Sequence, residues 1–131
     1  MKMNDHTHVL LVEDDPISGF LAEQVLKHHP KSPVYHWVKN GQDALDWLEQ
    51  NSASCILLDL SMPVMDGFEM LEYLQRQELC SALNIVILTS SNREADRRKS
   101  EQFPCVKGFI EKPLTEEKLD VVLERVKVKT S

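Results

Sequence analysis

The stretch Ile56-Leu57-Leu58-Asp59-Leu60 places one carboxylate directly after a continuous apolar run. Continuous rather than alternating apolarity is typical of a strand that is covered on both faces. A buried carboxylate without a partner would be costly at Asp59, so an ordinary surface-loop role explains it poorly. The stretch therefore predicts a buried parallel strand that ends in a functional acid.

Short runs of the same kind lie on both sides of this stretch. Continuous β-branched runs occur at Val9-Leu10-Leu11-Val12 and Ile85-Val86-Ile87-Leu88, and more mixed runs occur at 34–38 and 106–111. The segments between them are longer and have helical spacing of their apolar residues. Five strands that alternate with five helices predict an α/β fold, a doubly wound five-stranded parallel sheet with helices on both faces.

Four of the helices are predicted from apolar stripes, and the fourth in chain order, Asn92 to Gln102, from its place in the alternation because it is mostly charged. Asp15 is suited to cap the first helix and Thr115 the last. The stripes consist of Ile17, Phe20, Leu21 and Val25; Ala44, Leu45 and Leu48; Phe68, Leu71 and Leu74; and Leu119, Val122, Leu123 and Val126.

Length and composition are those of one soluble domain: 131 residues, 42% hydrophobic and 27% charged. The net charge of −6 argues against non-specific nucleic-acid binding, which needs a basic surface. No apolar run approaches the roughly 20 residues that cross a bilayer, and the polar segment Met1 to His8 has no signal-peptide core. A cytoplasmic protein with neither a membrane nor a nucleic-acid partner is predicted.

The cysteines and histidines give no sign of a metal or disulfide framework. Cys55, Cys80 and Cys105 are an odd number and form no CxxC motif, so buried or half-buried free thiols are predicted. The five histidines lack ligand spacing and are predicted to lie on the surface, with His36 as the one possible exception.

Polar residues stand where four of the predicted strands end. Glu13 and Asp14 follow the first, Asp59 the third, Thr89 the fourth and Lys112 the fifth. Ligands of open parallel sheets bind at the carboxyl ends of strands, and neighbouring carboxylates there repel unless they share a proton or a cation. Oxygen ligands without His or Cys favour Mg²⁺ over softer metals, and over Ca²⁺, which needs more protein ligands.

The lysine and the threonine complete a chemical set. Taken alone, Thr89 is better explained as an ordinary strand or capping residue, and Lys112 as a solvated lysine. Together with the acids and a cation, they describe a phosphoryl-transfer site, which requires mainly positioning and charge neutralisation. A carboxylate can itself be the nucleophile and form an acyl phosphate.

At this point the chain resembles a known family, the receiver domain of two-component response regulators (the CheY-like family), from about Val9 to Val126. Each matching stretch is a modest signal, but the four in order are specific. The resemblance implies a flavodoxin-like fold with strand order 2-1-3-4-5. It also implies a tail at 1–8, a receiver domain at 9–128 and no effector domain. The matching stretches are Val9 to Asp14, Leu57 to Gly67, Ile87 to Ser90 and Gly108 to Pro113.

The resemblance assigns a role to each acid. Asp59 is expected to be the phosphoacceptor and to bind Mg²⁺, for which Mn²⁺ could substitute. Asp14 is expected to be a direct metal ligand, Glu13 a ligand through bound water, and the backbone carbonyl of Ser61 a further ligand.

The remaining site residues are expected to stabilise and read the phosphoryl group. Lys112 would contact the phosphoryl oxygens, and the family has a cis peptide between the residues at Lys112 and Pro113. Thr89 would be the switch hydroxyl. Phe109 would be the aromatic switch, although tyrosine is common at that position.

The implied function is that of a stand-alone response regulator rather than an enzyme. It would take its phosphoryl group from a histidine kinase or a phosphotransfer protein and would catalyse only its own phosphorylation and dephosphorylation. Its output would be protein contact through the fourth helix, fifth strand and fifth helix, as a monomer or weak dimer.

Three other functional classes stay open. A phosphatase of the haloacid-dehalogenase type also uses a strand-end aspartate, but it usually has a second acid two residues later, where this chain has Ser61. A nucleotide or flavin binder is disfavoured because GxGxxG and GxxxxGK[ST] are absent. A receiver with a dead site usually lacks an acid or the lysine, and none is missing here.

Overall fold

The structure is a computed structural model that describes residues 7–62 and 64–130, with side chains described up to residue 125. It contains five parallel strands in the order β2-β1-β3-β4-β5, so the predicted fold class and strand order are confirmed. The predicted tail at 1–8 falls largely outside the described residues, and the first strand begins at His8. The strands are β1 (His8–Val12), β2 (Val34–Val38), β3 (Cys55–Leu58), β4 (Ile85–Thr89) and β5 (Val106–Glu111).

Within the described part of the chain, five α-helices connect and follow the strands. Asp15 caps the first helix by accepting a hydrogen bond from the Ser18 amide (2.8 Å), and Thr115 accepts one from the Lys118 amide (3.2 Å) at the start of the last. The helices are α1 (Pro16–His28), α2 (Gly41–Gln50), α3 (Gly67–Arg76), α4 (Glu94–Glu101) and α5 (Glu116–Thr130), with a 3₁₀ turn at Cys80–Ala82.

The three central strands are buried on both faces, as their continuous apolar runs predict. Leu10 and Ile56 pack on one face of the sheet with residues of α2 and α3. Leu11 and Leu57 pack on the other face with residues of α1 and α5. This burial of both faces holds the carboxyl ends of β1, β3 and β4 together at one edge.

The apolar stripe predicted for α1 is not its buried face, although its fourth member, Val25, is half-buried and packs against the core. Ile17, Phe20 and Leu21 are 71%, 54% and 52% exposed, whereas the residues that face the sheet are Gly19, Ala22 and Leu26. Small residues let a helix approach its neighbours closely, and a stripe drawn from large apolar residues alone misses them.

The reason for this orientation is the indole of Trp37 in β2. An added Cβ at Gly19 would lie 1.9 Å from the Trp37 ring, so only glycine leaves room for it. The indole Nε1 also donates a hydrogen bond to the carbonyl oxygen of Glu13 (2.9 Å). Trp37 therefore ties the edge strand and α1 to the loop that follows β1.

The prediction of free thiols is wrong for two of the three cysteines. Cys80 and Cys105 form a disulfide with Cα atoms 4.9 Å apart, across 25 residues of sequence. The 3₁₀ turn precedes β4, and the Ile85 amide donates to the Cys105 carbonyl (2.8 Å), so the entrances to β4 and β5 bring the two together. Cys55 is buried and free, as predicted.

The histidine predictions also need correction. His29 is buried, with Nε2 2.6 Å from Asp120 Oδ1 of α5, and its Nδ1 accepts a hydrogen bond from the Lys31 amide (3.0 Å). His36, the suggested exception, is exposed and stacks on Trp47 with ring centroids 5.4 Å apart. A polar residue just past a helix looks solvated in sequence, but here it joins α1 to α5.

Among the described residues, no helix is both long and apolar enough to span a membrane.

Candidate functional site

Backbone hydrogen bonds beyond the strand ends position the predicted site residues at one edge of the sheet. The Asp59 amide donates to the Val12 carbonyl (3.1 Å), which fixes the end of β3 against the end of β1. The Lys112 amide donates in the same way to the Thr89 carbonyl (2.8 Å), which fixes the end of β5 against that of β4. The side chains at these ends therefore start from a rigid frame.

Three carboxylates meet at this edge. Glu13, Asp14 and Asp59 each offer an oxygen that lies within 4.8 Å of the others. Glu13 is 2% and Asp59 6% exposed, and Asp14 is half-buried. Three acids this close repel one another, and their all-oxygen donor set fits a hard divalent cation such as Mg²⁺.

Lys112 supplies the positive charge nearest to the acids. Its Nζ lies 2.6 Å from Glu13 Oε1 and 3.3 Å from Asp59 Oδ2. Burial alone would lower the pKa of Lys112, but its hydrogen bond to Glu13 and the charge of Asp59 outweigh burial and raise it above its ordinary value. The Lys112-Pro113 peptide bond is cis, as expected from the resemblance.

Glu13 is the acid most perturbed by its surroundings. Burial raises the pKa of Glu13 from 4.5 to about 7, although Lys112 and the Asp15 amide (3.1 Å) both hydrogen-bond to the carboxylate. The carboxylate of Asp59 adds to the rise by repulsion. Close to neutral pH, Glu13 is therefore poised between its charged and its protonated form.

The loop from β3 to α3 is held close to Asp59 by two glycines. A Cβ at Gly67 would lie 2.6 Å from the Asp59 carbonyl oxygen, and the Gly67 amide donates to the Leu60 carbonyl (3.0 Å). The Gly41 amide, at the start of α2, donates to the Met65 carbonyl (3.1 Å).

The loop also contains Ser61 and a strained residue. Ser61 is exposed, and its amide donates to Asp59 Oδ1 (3.3 Å), which orients the carboxylate. Val64 is 81% exposed and has φ of 68°, a left-handed conformation that is unusual for a β-branched residue. Such strain concentrates at functional loops.

Thr89 and Phe109 lie on neighbouring strands, β4 and β5. Thr89 is 2% exposed at the end of β4, and its Oγ1 accepts a hydrogen bond from the Ser91 amide (3.2 Å). Phe109 lies opposite Ile87 in the β4–β5 register and is half-buried, with the Arg97 guanidinium over its ring. The structure thus brings Glu13, Asp14, Asp59 and Lys112 into one cluster, with Thr89 at the next strand end and Phe109 on the strand beyond.

This arrangement suits phosphoryl transfer to a carboxylate. Asp59 has an oxygen close to a lysine ammonium, within a group of acids that can hold a cation. The Lys112 ammonium and a bound cation would neutralise the charge of a phosphoryl group and leave the Asp59 carboxylate free to attack it.

Comparison with known proteins agrees with this chemistry. Residues 9–124 match the family described as the response regulator receiver domain. The chain is 29% identical over 133 residues to the "Probable methanogenesis regulatory protein FilR2" of Methanothrix harundinacea, covering 97% of this chain and 85% of that protein. Several other curated relatives are longer, and the chain spans 24% to 53% of their length.

Two solved structures have folds that superimpose closely on this chain. A two-component response regulator from Cytophaga hutchinsonii superimposes with a TM-score of 0.84 at 26% identity, over 92% of this chain and 97% of that one. The receiver domain of the sensor histidine kinase PA1611 from Pseudomonas aeruginosa, described with magnesium coordinated in its active-site cleft, gives a TM-score of 0.80 at 26% identity over 94% and 98%. With fold, acidic pocket and sequence in agreement, the chain belongs to the response regulator receiver domain family.

Proposed function

We propose that the chain is a response regulator receiver that accepts a phosphoryl group on Asp59 from a histidine kinase or phosphotransfer protein. The observation that carries this proposal is the contact of Asp59 with Lys112 (3.3 Å) inside a cluster of three carboxylates. The output would be protein contact that depends on phosphorylation.

The proposed metal ligands include the acids of the same cluster. Asp14, Asp59 and the backbone carbonyl of Ser61 would hold Mg²⁺, with Glu13 acting through bound water, and Mn²⁺ would be an acceptable substitute. The bound cation would neutralise charge on the phosphoryl oxygens. The magnesium described for the PA1611 receiver supports this assignment.

In the transfer step, a carboxylate oxygen of Asp59 forms a bond to phosphorus while the bond between phosphorus and the donor atom breaks. Lys112 contacts the phosphoryl oxygens, and the donor's nitrogen or oxygen leaves with the bonding electrons. The product is an acyl phosphate on the protein itself, so the chain is a signalling module rather than an enzyme that turns over a separate substrate.

The experiment that tests this function is intact-protein mass spectrometry after incubation with acetyl phosphate. One added phosphoryl group that requires Mg²⁺, is stable in acid and is lost in base supports the proposal. Turnover of an exogenous phosphate ester would instead favour a phosphatase. Absence of an adduct with acetyl phosphate and phosphoramidate, and of beryllofluoride binding, would identify a receiver with a dead site.

Magnesium affinity is expected to rise with pH and to level off above about pH 7. Because burial raises the pKa of Glu13 to about 7, the metal-free chain keeps that proton up to this pH, and Mg²⁺ must displace it. One displaced proton weakens binding about tenfold for each pH unit below the pKa. Calorimetric titration between pH 5.5 and 8 measures the slope.

The control for this titration is Glu13→Gln, because glutamine has no carboxyl proton for Mg²⁺ to displace. Its magnesium affinity is expected to depend less on pH between 5.5 and 7 than that of the wild type. The same slope in both proteins would contradict the role of Glu13.

The proposed output surface is the face formed by α4, β5 and α5. It contains a groove of about 900 Å³ with Val86, Phe109 and Val121 among its apolar lining, and its charged lining has four cations and two glutamates. In a chain of net charge −6, such a basic rim fits a partner segment with apolar and acidic side chains. Thr89 and Phe109 would link this surface to Asp59. The charged residues are Arg97, Lys107, Lys118, Arg125, Glu101 and Glu124.

The proposed docking surface for the phosphodonor is the exposed apolar face of α1. Ile17, Phe20 and Leu21 lie on the helix that begins directly after Asp14 and Asp15, so this face borders the phosphoacceptor site. A donor protein must bring its phosphohistidine to Asp59, and an apolar surface next to the site can hold it there.

Phe20→Ser is expected to slow labelling by a phosphohistidine protein about tenfold, because an aromatic residue at an interface often contributes this much. Labelling by acetyl phosphate, which needs no docking surface, is expected to stay unchanged. The rates are measured by quenched-flow mass spectrometry with any phosphotransfer protein that labels the wild type. Leu79→Ser, on an equally apolar exposed residue after α3, is the matched control, and an equal effect of both changes would contradict the assignment.

The remaining partner and location assignments are part of the same proposal. We place the chain in the cytoplasm, as a monomer or weak dimer, with no membrane or nucleic-acid partner.

A further inference from the structure

The hydroxyl of Thr89 is connected to helix α4 through Ser91. Thr89 Oγ1 accepts a hydrogen bond from the Ser91 amide (3.2 Å), and Ser91 Oγ donates to Asp96 Oδ2 (2.7 Å). Arg93 also donates to Asp96 Oδ2 from Nε (3.3 Å). The first turn of α4 thus fixes the loop whose amide holds the hydroxyl.

The Asp96 carboxylate stays charged in this arrangement. The hydrogen bond from Ser91 is the largest cause that lowers the pKa of Asp96, and the nearby charge of Arg93 adds to it. A hydrogen bond to a charged acceptor is stronger than one between neutral groups, so this contact is the firm part of the connection.

The next residue of the same helix contacts the other switch position. The guanidinium carbon of Arg97 lies 5.5 Å from the centroid of the Phe109 ring, a cation–π contact. Glu101 holds Arg97 from one turn later, with Oε2 3.4 Å from Nε. Arg97 and Phe109 both line the groove of the proposed output surface.

We propose that Asp96 and Arg97 are positioning residues that hold Thr89 and Phe109 in the unphosphorylated arrangement. The proposal rests on the function proposed above, in which both residues respond to phosphorylation of Asp59. Thr89 cannot turn its hydroxyl toward Asp59 without changing its hydrogen bond with the Ser91 amide. Phe109 cannot leave the groove without losing its cation–π contact with Arg97. Neighbouring residues of one helix therefore set the balance between resting and phosphorylated states together.

The balance between the resting and the phosphorylated state predicts how tightly beryllofluoride, a mimic of the phosphoryl group, binds. If the binding-competent state is a minor one, apparent affinity rises in proportion to its population. Loss of a cation–π contact at an exposed site corresponds to a change of about two- to fivefold, and loss of a charge-assisted hydrogen bond to about tenfold. Arg97→Gln and Asp96→Asn are therefore expected to bind beryllofluoride more tightly by these factors.

The same helix offers matched controls. Glu94 and Arg98 form an exposed i,i+4 pair at 3.8 Å, with both side chains 67% exposed. Glu94→Gln removes a negative charge from the first turn of α4, as Asp96→Asn does. Arg98→Gln removes a positive charge from the residue next to Arg97. They are expected to leave beryllofluoride affinity at the wild-type value.

The first measurement is titration with beryllofluoride in saturating Mg²⁺, next to titration with Mg²⁺ alone. Tighter beryllofluoride binding with unchanged Mg²⁺ affinity in Asp96→Asn and Arg97→Gln supports the positioning role. A merely structural role would lower the melting temperature or weaken both ligands together. Beryllofluoride affinities equal to those of the two controls would overturn the proposal.

A second measurement does not depend on phosphoryl chemistry. In the metal-free, unmodified chain, NMR signals of the Ser91 amide and the Phe109 ring report the two contacts directly. The Ser91 signal is expected to shift in Asp96→Asn and the Phe109 signal in Arg97→Gln, each more than in its control. Shifts no larger than those of the controls would overturn the proposal, whereas a wild type that binds no beryllofluoride would contradict the proposed function instead.

Discussion

Asp59→Asn is expected to abolish the Mg²⁺-dependent addition of a phosphoryl group to the chain. The amide has no charged oxygen to attack phosphorus, and among the described residues Asp59 is the carboxylate at the end of β3 that faces both Lys112 and the acids that follow β1. Intact-protein mass after incubation with acetyl phosphate measures the effect. The adduct is expected to fall from one group per chain to none.

The fold of this variant is expected to survive. Asparagine keeps the shape of the side chain and its oxygen for the Ser61 amide, and it removes one of three carboxylates that repel one another. Thermal unfolding in the absence of metal is therefore expected to show a melting temperature no lower than that of the wild type. Loss of labelling then reports chemistry and not unfolding.

Asp15→Asn is the matched control for this change. Asp15 is exposed beside the same site, and asparagine can still cap α1. It is expected to be labelled like the wild type. A base-labile phosphoryl group that persists in Asp59→Asn would refute the assignment of the phosphoacceptor.

Lys112→Met is expected to slow labelling about 100-fold, the loss typical when one preorganised donor to a developing negative charge is removed. Magnesium affinity is expected to stay equal or to increase, because the change removes a cation 2.6 Å from Glu13 and 3.3 Å from Asp59. Slower labelling without weaker magnesium binding separates a role toward the phosphoryl group from a role in holding the metal. Rates are measured with acetyl phosphate at saturating Mg²⁺.

Lys39→Met serves as the control for the loss of a lysine. Lys39 is exposed just after β2, at the same edge of the sheet, with its ammonium 5.4 Å from the ring centroid of Trp37. Its labelling rate is expected to match that of the wild type. A Lys112→Met variant that is labelled as fast as Lys39→Met would remove Lys112 from the mechanism.

The sheet was predictable because its central strands have a simple signature. Runs such as Ile56-Leu57-Leu58 are apolar at every position, and this occurs where both faces are covered. The residues at strand ends, Asp59 among them, then meet by topology alone, since parallel strands share one carboxyl edge. The strand order itself required the family resemblance.

Features that depend on packing detail were not predictable. The orientation of α1 is decided by the space that Gly19 leaves for Trp37, and glycine adds nothing to an apolar stripe. The Cys80–Cys105 disulfide depends on two chain segments that meet only after β4 and β5 are paired. A count of cysteines cannot reveal such proximity.

The contacts of α4 show the same limit on the candidate site. In the sequence, residues 92–102 are mostly charged, and in the structure most of them are exposed. Asp96 and Arg97 differ from their neighbours by which way they point, toward Ser91 and Phe109. That distinction arises from side-chain conformation and the neighbouring strand, neither of which a single sequence contains.

The indole of Trp37 gives the chain a fluorophore of its own next to the acidic cluster. Its N–H is bonded to the carbonyl oxygen of Glu13, whose side chain belongs to that cluster, and its ring fills the space above Gly19. Emission from this indole is therefore sensitive to small movements of the loop after β1, without any attached dye. Because Trp47 is the second tryptophan of the chain, a Trp47→Phe background isolates this signal for following occupancy of the site in real time.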